Sequence, residues 1–328
     1  MPAKRQHYIP RLHLRRFVGH DPIGHVWTYD SETGLVRSSI PENTALGSHF
    51  YSFEDGNGAL NTGLEELLAE IEAIAAPVYE KLLTRKTISD QEKADFSHFL
   101  AAMYVRTPTM RRMMGDMLGR WIQIVNYGYA VHDGAFQTLT KGFEKEIGKT
   151  LSEEEKNTLR ESMIDPSKFK FLIPKERTFP IEMIDKLWPI LFDMNWSVLS
   201  PKHGYFITSD NPLIRNVDPK SVHKFFGDHG FLNKTAEISF PLSPKLMLVM
   251  AWSKKYPRQG VCGRGPVEFF NARRAADSER YLYAHICHKA VANLAATLKN
   301  SQRAMTTQGF GPDKFAKSEV PRRWQTRN

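Results

Sequence analysis

Asp210 lies in the run Thr208-Ser209-Asp210-Asn211-Pro212, in which two hydroxyls, a carboxylate and an amide precede a proline. A carboxylate in such a turn could act as a general base or hold a divalent ion, with Thr208 and Ser209 orienting it and Asn211 adding a donor. The plainer alternative is an Asx-turn, in which Asp210 satisfies its own backbone ahead of Pro212. A second polar run stands at the other end of the chain, His7-Tyr8-Ile9-Pro10 followed by Arg11-Leu12-His13-Leu14-Arg15-Arg16-Phe17. His7 could move a proton near neutral pH, while Tyr8, Arg11 and Arg15 could bind an anion. Here the alternative is an arm whose His7 and Tyr8 hydrogen-bond to the body while Pro10 fixes its direction. If arm and turn meet, His7, Asp210 and Ser209 form an acid/base set, and Tyr8, Arg11, Arg15, Arg106, Thr208, Asn211 and Asn271 supply substrate contacts. Arg106 stands before Thr107-Pro108, where it could bind phosphate or simply complement a helix dipole.

Other clusters carry less. Glu66 and Glu70 are one helical turn apart, but no histidine joins them at helical spacing, which favours a solvated face. Cys262 with His285-Ile286-Cys287-His288 departs from the spacing of zinc ligands. Arg280 and His285 fit an arginine-four-histidine spacing known from helical ribonucleases, yet they fall in a segment that reads as a strand. The chain has no phosphate-binding glycine loop, no GxGxxG after a strand and no GxSxG elbow, which disfavours nucleotide folds and α/β-hydrolases. No residue is assigned as a metal ligand, although a divalent ion at Asp210 would suit phosphate chemistry.

The elements that must position these groups follow from local pattern. Residues 25–38 alternate apolar and polar around Ser31-Glu32-Thr33-Gly34 and predict a β-hairpin. A short strand is expected at 49–53, closed by Gly56-Asn57-Gly58. Capping boxes at Thr62/Glu65, Ser89/Glu92 and Ser152/Glu155 open helices. Pro77 predicts a kink in the first, Pro108 ends the second, and Gly128 and Gly134 are expected breaks in a helical stretch over 110–147. Residues 181–192 read as a helix despite Pro189. The runs 195–200 and 205–208, joined by Pro201-Lys202-His203-Gly204, predict a second hairpin, with further strands at 238–240 and 246–252. Helices are expected at 266–278 and 288–300, with a strand at 280–284 between them.

The order and spacing of His7-Tyr8-x-Pro10, Trp27-Thr28-Tyr29-Asp30, Arg106-Thr107-Pro108, Thr208–Pro212, Pro241-Leu242-Ser243-Pro244 and Asn271 resemble the bacterial family catalogued as domain of unknown function 4238. That resemblance runs from about residue 5 to about 290. It implies one domain in a soluble bacterial protein, and brings no activity with it.

Composition bounds the rest. The 328 residues are 41% hydrophobic and 25% charged, enough for a sizeable core. Two cysteines give no disulfide framework, no apolar run reaches membrane-spanning length, and the N-terminus has no apolar stretch of a secretory signal, so a cytoplasmic location is expected. The net charge of +9 is carried by the ends: residues 1–20 hold +5, residues 301–328 hold +4, and the body between is neutral. The expected architecture is α+β, a helix-rich single domain over 1–305 with a helical middle at 62–193. It has a mainly β part at 195–252, an antiparallel sheet and an N-terminal arm packed on it, and a basic disordered tail follows at 306–328. Two functions fit. One is a nucleic-acid-directed enzyme, such as a metal-assisted phosphodiesterase built on a His7/Asp210 pocket. The other is a non-catalytic binding protein whose polar blocks brace the fold and whose basic ends contact nucleic acid or another acidic partner.

Overall fold

The computed structural model describes residues 5–48, 50, 53–54, 60–61, 63–165, 181–222 and 230–298. The Thr62 cap, the Gly56-Asn57-Gly58 loop, most of the 49–53 strand and the 306–328 tail lie outside the described residues.

The chain opens with the arm, a short strand β1 (Arg5–His7) and a single helical turn α1 (Arg11–Leu14) that tightens into a 3-10 turn over Arg15–Phe17. Pro10 stands at the N-cap, where its missing N–H costs nothing. The expected hairpin follows as β2 (Val26–Asp30) and β3 (Val36–Ser39), with Gly34 in the left-handed region that the turn requires. Next come β4 (Leu46–Ser48), which pairs antiparallel with β1, and the small pair β5 (Phe53–Glu54) and β6 (Leu60–Asn61).

The helical middle contains α2 (Gly63–Leu83), α3 (Asp90–Val105), α4 (Pro108–Val131), α5 (Asp133–Ile147), α6 (Glu153–Ile164) and α7 (Glu182–Asp193). Ser89 and Ser152 form the two remaining capping boxes, each accepting from the backbone N–H three residues on while that residue's carboxylate reaches back. α2 continues through Pro77, and α7 through Pro189. The expected breaks at Gly128 and Gly134 do not occur, for both glycines lie inside helices. The chain turns instead at His132, whose φ of −109° and ψ of 109° are extended. A glycine in a helix lowers stability modestly without forcing an end.

The β-rich part supplies β7 (Asn195–Pro201), β8 (Thr208–Ser209), β9 (Ile214–Asn216), β10 (Glu237–Ser243), β11 (Leu246–Ala251) and β12 (Gln259–Cys262). The chain closes with α8 (Arg264–Asp277), β13 (Tyr281–Ala284) and α9 (Lys289–Leu298). The fold is α+β, as expected, but the sheet is divided. One five-stranded sheet runs β12-β7-β11-β10-β9, antiparallel except for the parallel β12–β7 pair. A four-stranded sheet runs β3-β2-β13-β8.

The predicted hairpin of 195–200 with 205–208 is therefore overturned, since β7 and β8 belong to different sheets. The physical reason is that the connecting residues feed two cores. Phe206 packs with Leu199, Met247 and Phe270, whereas Ile207 packs with Tyr29 and Leu282. The strand partner that this stretch gives up is replaced by Asn271 of α8, whose Oδ1 accepts from the Ile207 N–H at 3.1 Å and whose Nδ2 donates to the Tyr205 carbonyl at 2.8 Å.

β11 shows how alternation serves two layers. Leu248 and Met250 face the main core with Tyr79, Phe96, Phe99 and Phe240, while Met247 and Val249 face α8 on the other side. α9 covers the smaller sheet, and α4, α5 and α6 join through a satellite cluster of Ala130, Phe136 and Met163. Among the described residues, no helix is long and apolar enough to cross a membrane.

Candidate functional site

Asp210 directly follows β8 and points into the loop between α8 and β13. Its carboxylate accepts three consecutive backbone N–H groups, Glu279 at 2.9 Å and Arg280 and Tyr281 at 2.7 and 2.8 Å. Its own N–H donates to the Tyr281 carbonyl at 3.1 Å. Burial pushes its pKa up to about 6, against the pull of the three donors, and nearby Glu279 adds to the rise. Asp210 is thus not the Asx-turn of the plainer reading. Ser209 makes the local turn instead, donating to the Asn211 carbonyl at 2.8 Å and accepting from its N–H at 3.2 Å. Asn211 donates through Nδ2 to the Asp277 carbonyl at 3.0 Å, and its Oδ1 is buried with no hydrogen-bond partner among the described residues.

The arm does fold back onto this bend. β1 pairs with β4, and the Tyr8 N–H donates to the Ala45 carbonyl at 3.1 Å. The Tyr8 hydroxyl lies 3.2 Å from that of Tyr283 on β13, and the Asp210 charge beside them helps burial to raise the pKa of both phenols. Arg106, the C-cap of α3, is buried. Its guanidinium donates to Glu72 at 2.5 Å and to the His7 carbonyl at 2.7 Å, so it holds the arm.

His7 does not join Asp210. Its Nε2 contacts the Pro41 carbonyl at 3.2 Å, and none of the three donors on the Asp210 carboxylate belongs to His7. Burial lowers the His7 pKa, opposed by that carbonyl bond and aided by Arg11 and Arg106. Arg11 and Arg15 lie exposed, and Arg15 pairs with Glu42 at 2.7 Å. Asn271 is the backbone brace already described. The candidates therefore separate: Tyr8, Arg106, Thr208, Asp210, Asn211 and Asn271 tie distant segments together, Ser209 shapes its own turn, and Arg11 and Arg15 face outward.

The residue at the centre of the polar core is one that the sequence reading passed over. His13 is wholly buried, with Nδ1 2.9 Å from the Tyr79 hydroxyl and Nε2 2.8 Å from Thr208 Oγ1. The Tyr79 hydroxyl has one proton and gives it to the Leu242 carbonyl at 3.0 Å. Nδ1 must then be the donor to Tyr79, and bare Nε2 accepts the Thr208 hydroxyl proton. Burial, with Arg274 and Arg16 nearby, lowers the His13 pKa to about 3 and keeps the ring neutral. Arg274 of α8, also wholly buried, donates to the Pro212 carbonyl and, at 3.3 Å, to the backbone oxygen and the Oγ of Ser239. Both residues had a signal in the spacing. His13 stands four residues from buried Ile9 and four from buried Phe17, and Arg274 shares a helical face with Val267 and Phe270.

A groove of about 410 Å³ lies between α2, α3 and α7, lined by Glu70, Ile71, His98, Ile184 and Asp185 among others, and none of the candidate residues lines it. Among the described residues no group of three or more His, Cys, Asp or Glu could hold a metal ion. The arrangement can lock three distant backbone segments together.

In comparisons with known proteins, the family model described as "Protein of unknown function (DUF4238)" matches residues 5–287. No curated protein and no solved structure matches the chain.

Proposed function

The chain belongs to the DUF4238 family, and on that premise we propose that it is a non-catalytic binding protein. In this reading its polar blocks brace the fold, and its basic ends contact nucleic acid in a bacterial cytoplasm. One observation carries the reading. Both oxygens of Asp210, the strongest catalytic candidate, are occupied by backbone N–H groups of residues 279–281, and the side chain is buried. A general base must stand within reach of a substrate proton, and a carboxylate buried under three backbone donors does not. Charge supports the binding half: +5 within residues 1–20 and +4 within residues 301–328 flank a neutral body. Exposed Arg11 on α1 and exposed Arg15, four residues on in the 3-10 turn that follows, are suited to phosphate contacts that release counterions.

The experiment measures binding, cleavage and stability side by side. Fluorescence anisotropy with labelled duplex, single-stranded DNA and RNA over a salt series should show affinity that falls as salt rises. Arg11→Glu with Arg15→Glu should weaken it. Asp210→Asn should lower the unfolding temperature and leave affinity intact, with no cleavage by either protein. Cleavage by the wild type that a fully folded Asp210→Asn protein loses would restore the phosphodiesterase reading.

A further inference from the structure

α4 carries an apolar stripe that its own chain leaves bare. Met114, Met117, Trp121, Ile124, Gly128 and Val131 step alternately by three and four, the spacing that keeps one seam turned toward a partner helix. Trp121 is 61% and Ile124 58% exposed, Met117 and Val131 on the stripe are exposed, and so are Met113, Val125 and Tyr127 beside it. The opposite flank is the one that packs, through Ala130, against Phe136 of α5 and Leu159 and Met163 of α6. Large side chains offer roughly 150–250 Å² each, so these exposures give about 700 Å² of apolar surface. That exceeds the largest patch commonly left bare on a monomer. Two such stripes face to face remove about 1,400 Å² from water, the size of a stable, specific interface.

We infer that α4 is a homodimer interface in which two copies pair antiparallel along this stripe. The antiparallel register sets Trp121 against Ile124, Met117 against Gly128 and Met114 against Val131 of the second copy. Each layer then joins a larger side chain to a smaller one. A Cβ at Gly128 would meet nothing within 4 Å among the described residues beyond its own helix backbone, so the space over it is open to a methionine. In a parallel pair Trp121 would meet Trp121 and Gly128 would meet Gly128, overfilling one layer and leaving a void in the other.

Sedimentation velocity over a concentration series tests this, with the wild type, Trp121→Glu, Ile124→Lys and an equimolar mixture of the two variants. The wild type should be a dimer and each variant a monomer that keeps the wild type's circular dichroism spectrum, because both positions are exposed. The mixture should regain a dimer, since the register brings the new carboxylate to the new ammonium. Phe269→Glu, an exposed apolar site on α8, should leave the dimer intact. A wild type that stays monomeric at every concentration overturns the inference, as does a dimer that survives Trp121→Glu. A mixture that stays monomeric overturns the antiparallel register. Flotation of a monomeric wild type with phosphatidylglycerol vesicles, lost in Trp121→Glu, overturns the dimer by assigning the stripe to lipid.

Discussion

His13 Nε2 and Thr208 Oγ1 are 2.8 Å apart across 195 residues of sequence, and both are wholly buried. The bond joins the N-terminal arm to the strand that presents Asp210, so it fixes the start of the chain against its β-rich part. Thr208→Val keeps the shape but leaves the ring nitrogen without a donor. It should cost about 1–3 kcal/mol in urea unfolding, because a buried acceptor loses its partner while its desolvation cost remains. His13→Phe together with Thr208→Val should cost less than the two single changes added, because the double variant has no orphan at this contact. Strict additivity would mean that the two groups are not coupled.

The neutral His13 ring makes a prediction about acid. Unfolded, the imidazole takes up a proton below its ordinary value near 6.5, whereas in the fold it stays neutral down to about 3. The unfolded state therefore binds more protons throughout that window, and stability falls as pH drops through it. The loss is on the order of 4 kcal/mol at one pKa unit per 1.4 kcal/mol. His13→Phe should remove that part of the acid limb when unfolding free energy is followed from pH 7 to 3. An unchanged slope would exclude a buried neutral imidazole.

Asp210 acts in the opposite direction. Its folded pKa of about 6 lies above that of an unfolded aspartate near 4, so the native state binds more protons between those values. Its contribution is greatest below about 4 and is lost as pH rises through 6. Asp210→Asn cannot titrate and should flatten this slope. It should also destabilise at pH 7, by about 2–3 kcal/mol, since three N–H donors that shared a charged acceptor are left to one carbonyl oxygen beside an NH₂ group. Equal pH profiles for the two proteins would rule out a buried, titrating carboxylate.

Much of the frame was legible because local rules decided it. Ser89 with Glu92 and Ser152 with Glu155 announce helix starts, and the Gly34 turn announces β2 and β3. The docking of the arm on the body was also legible, from the apolar residues interleaved with its arginines, whereas its meeting with the Thr208 bend was not. What was not legible depended on partners far away in sequence. The 195–208 hairpin failed because Phe206 and Ile207 are drawn into different cores, a choice that no turn residue encodes. His7 attracted attention as a histidine in a polar context, yet His13 is the one bonded at both ring nitrogens. Its apolar neighbours Leu12 and Leu14 made it look unremarkable, although a residue locked in the core needs such flanks.

Arg274 offers the sharpest separation of geometry from charge. Its guanidinium spans the Pro212 carbonyl and both oxygens of Ser239, joining the Asp210 bend to β10, and its Nε has no hydrogen-bond partner among the described residues. Burial lowers its pKa to about 9, with Asp277 nearby pulling the other way, so the site bears a desolvated cation and recovers the cost through a planar fork that reaches several acceptors. Lysine would keep the desolvation cost and lose the fork. Arg274→Lys should lose about 3 kcal/mol in urea unfolding. Arg274→Met fills much of the same volume without a charge and should lose less, about 1–2 kcal/mol, leaving carbonyl acceptors that tolerate an unmade bond better than an unmatched ammonium does. A lysine variant as stable as the wild type would show that charge alone, and not the span between Pro212 and Ser239, is what the fold requires there.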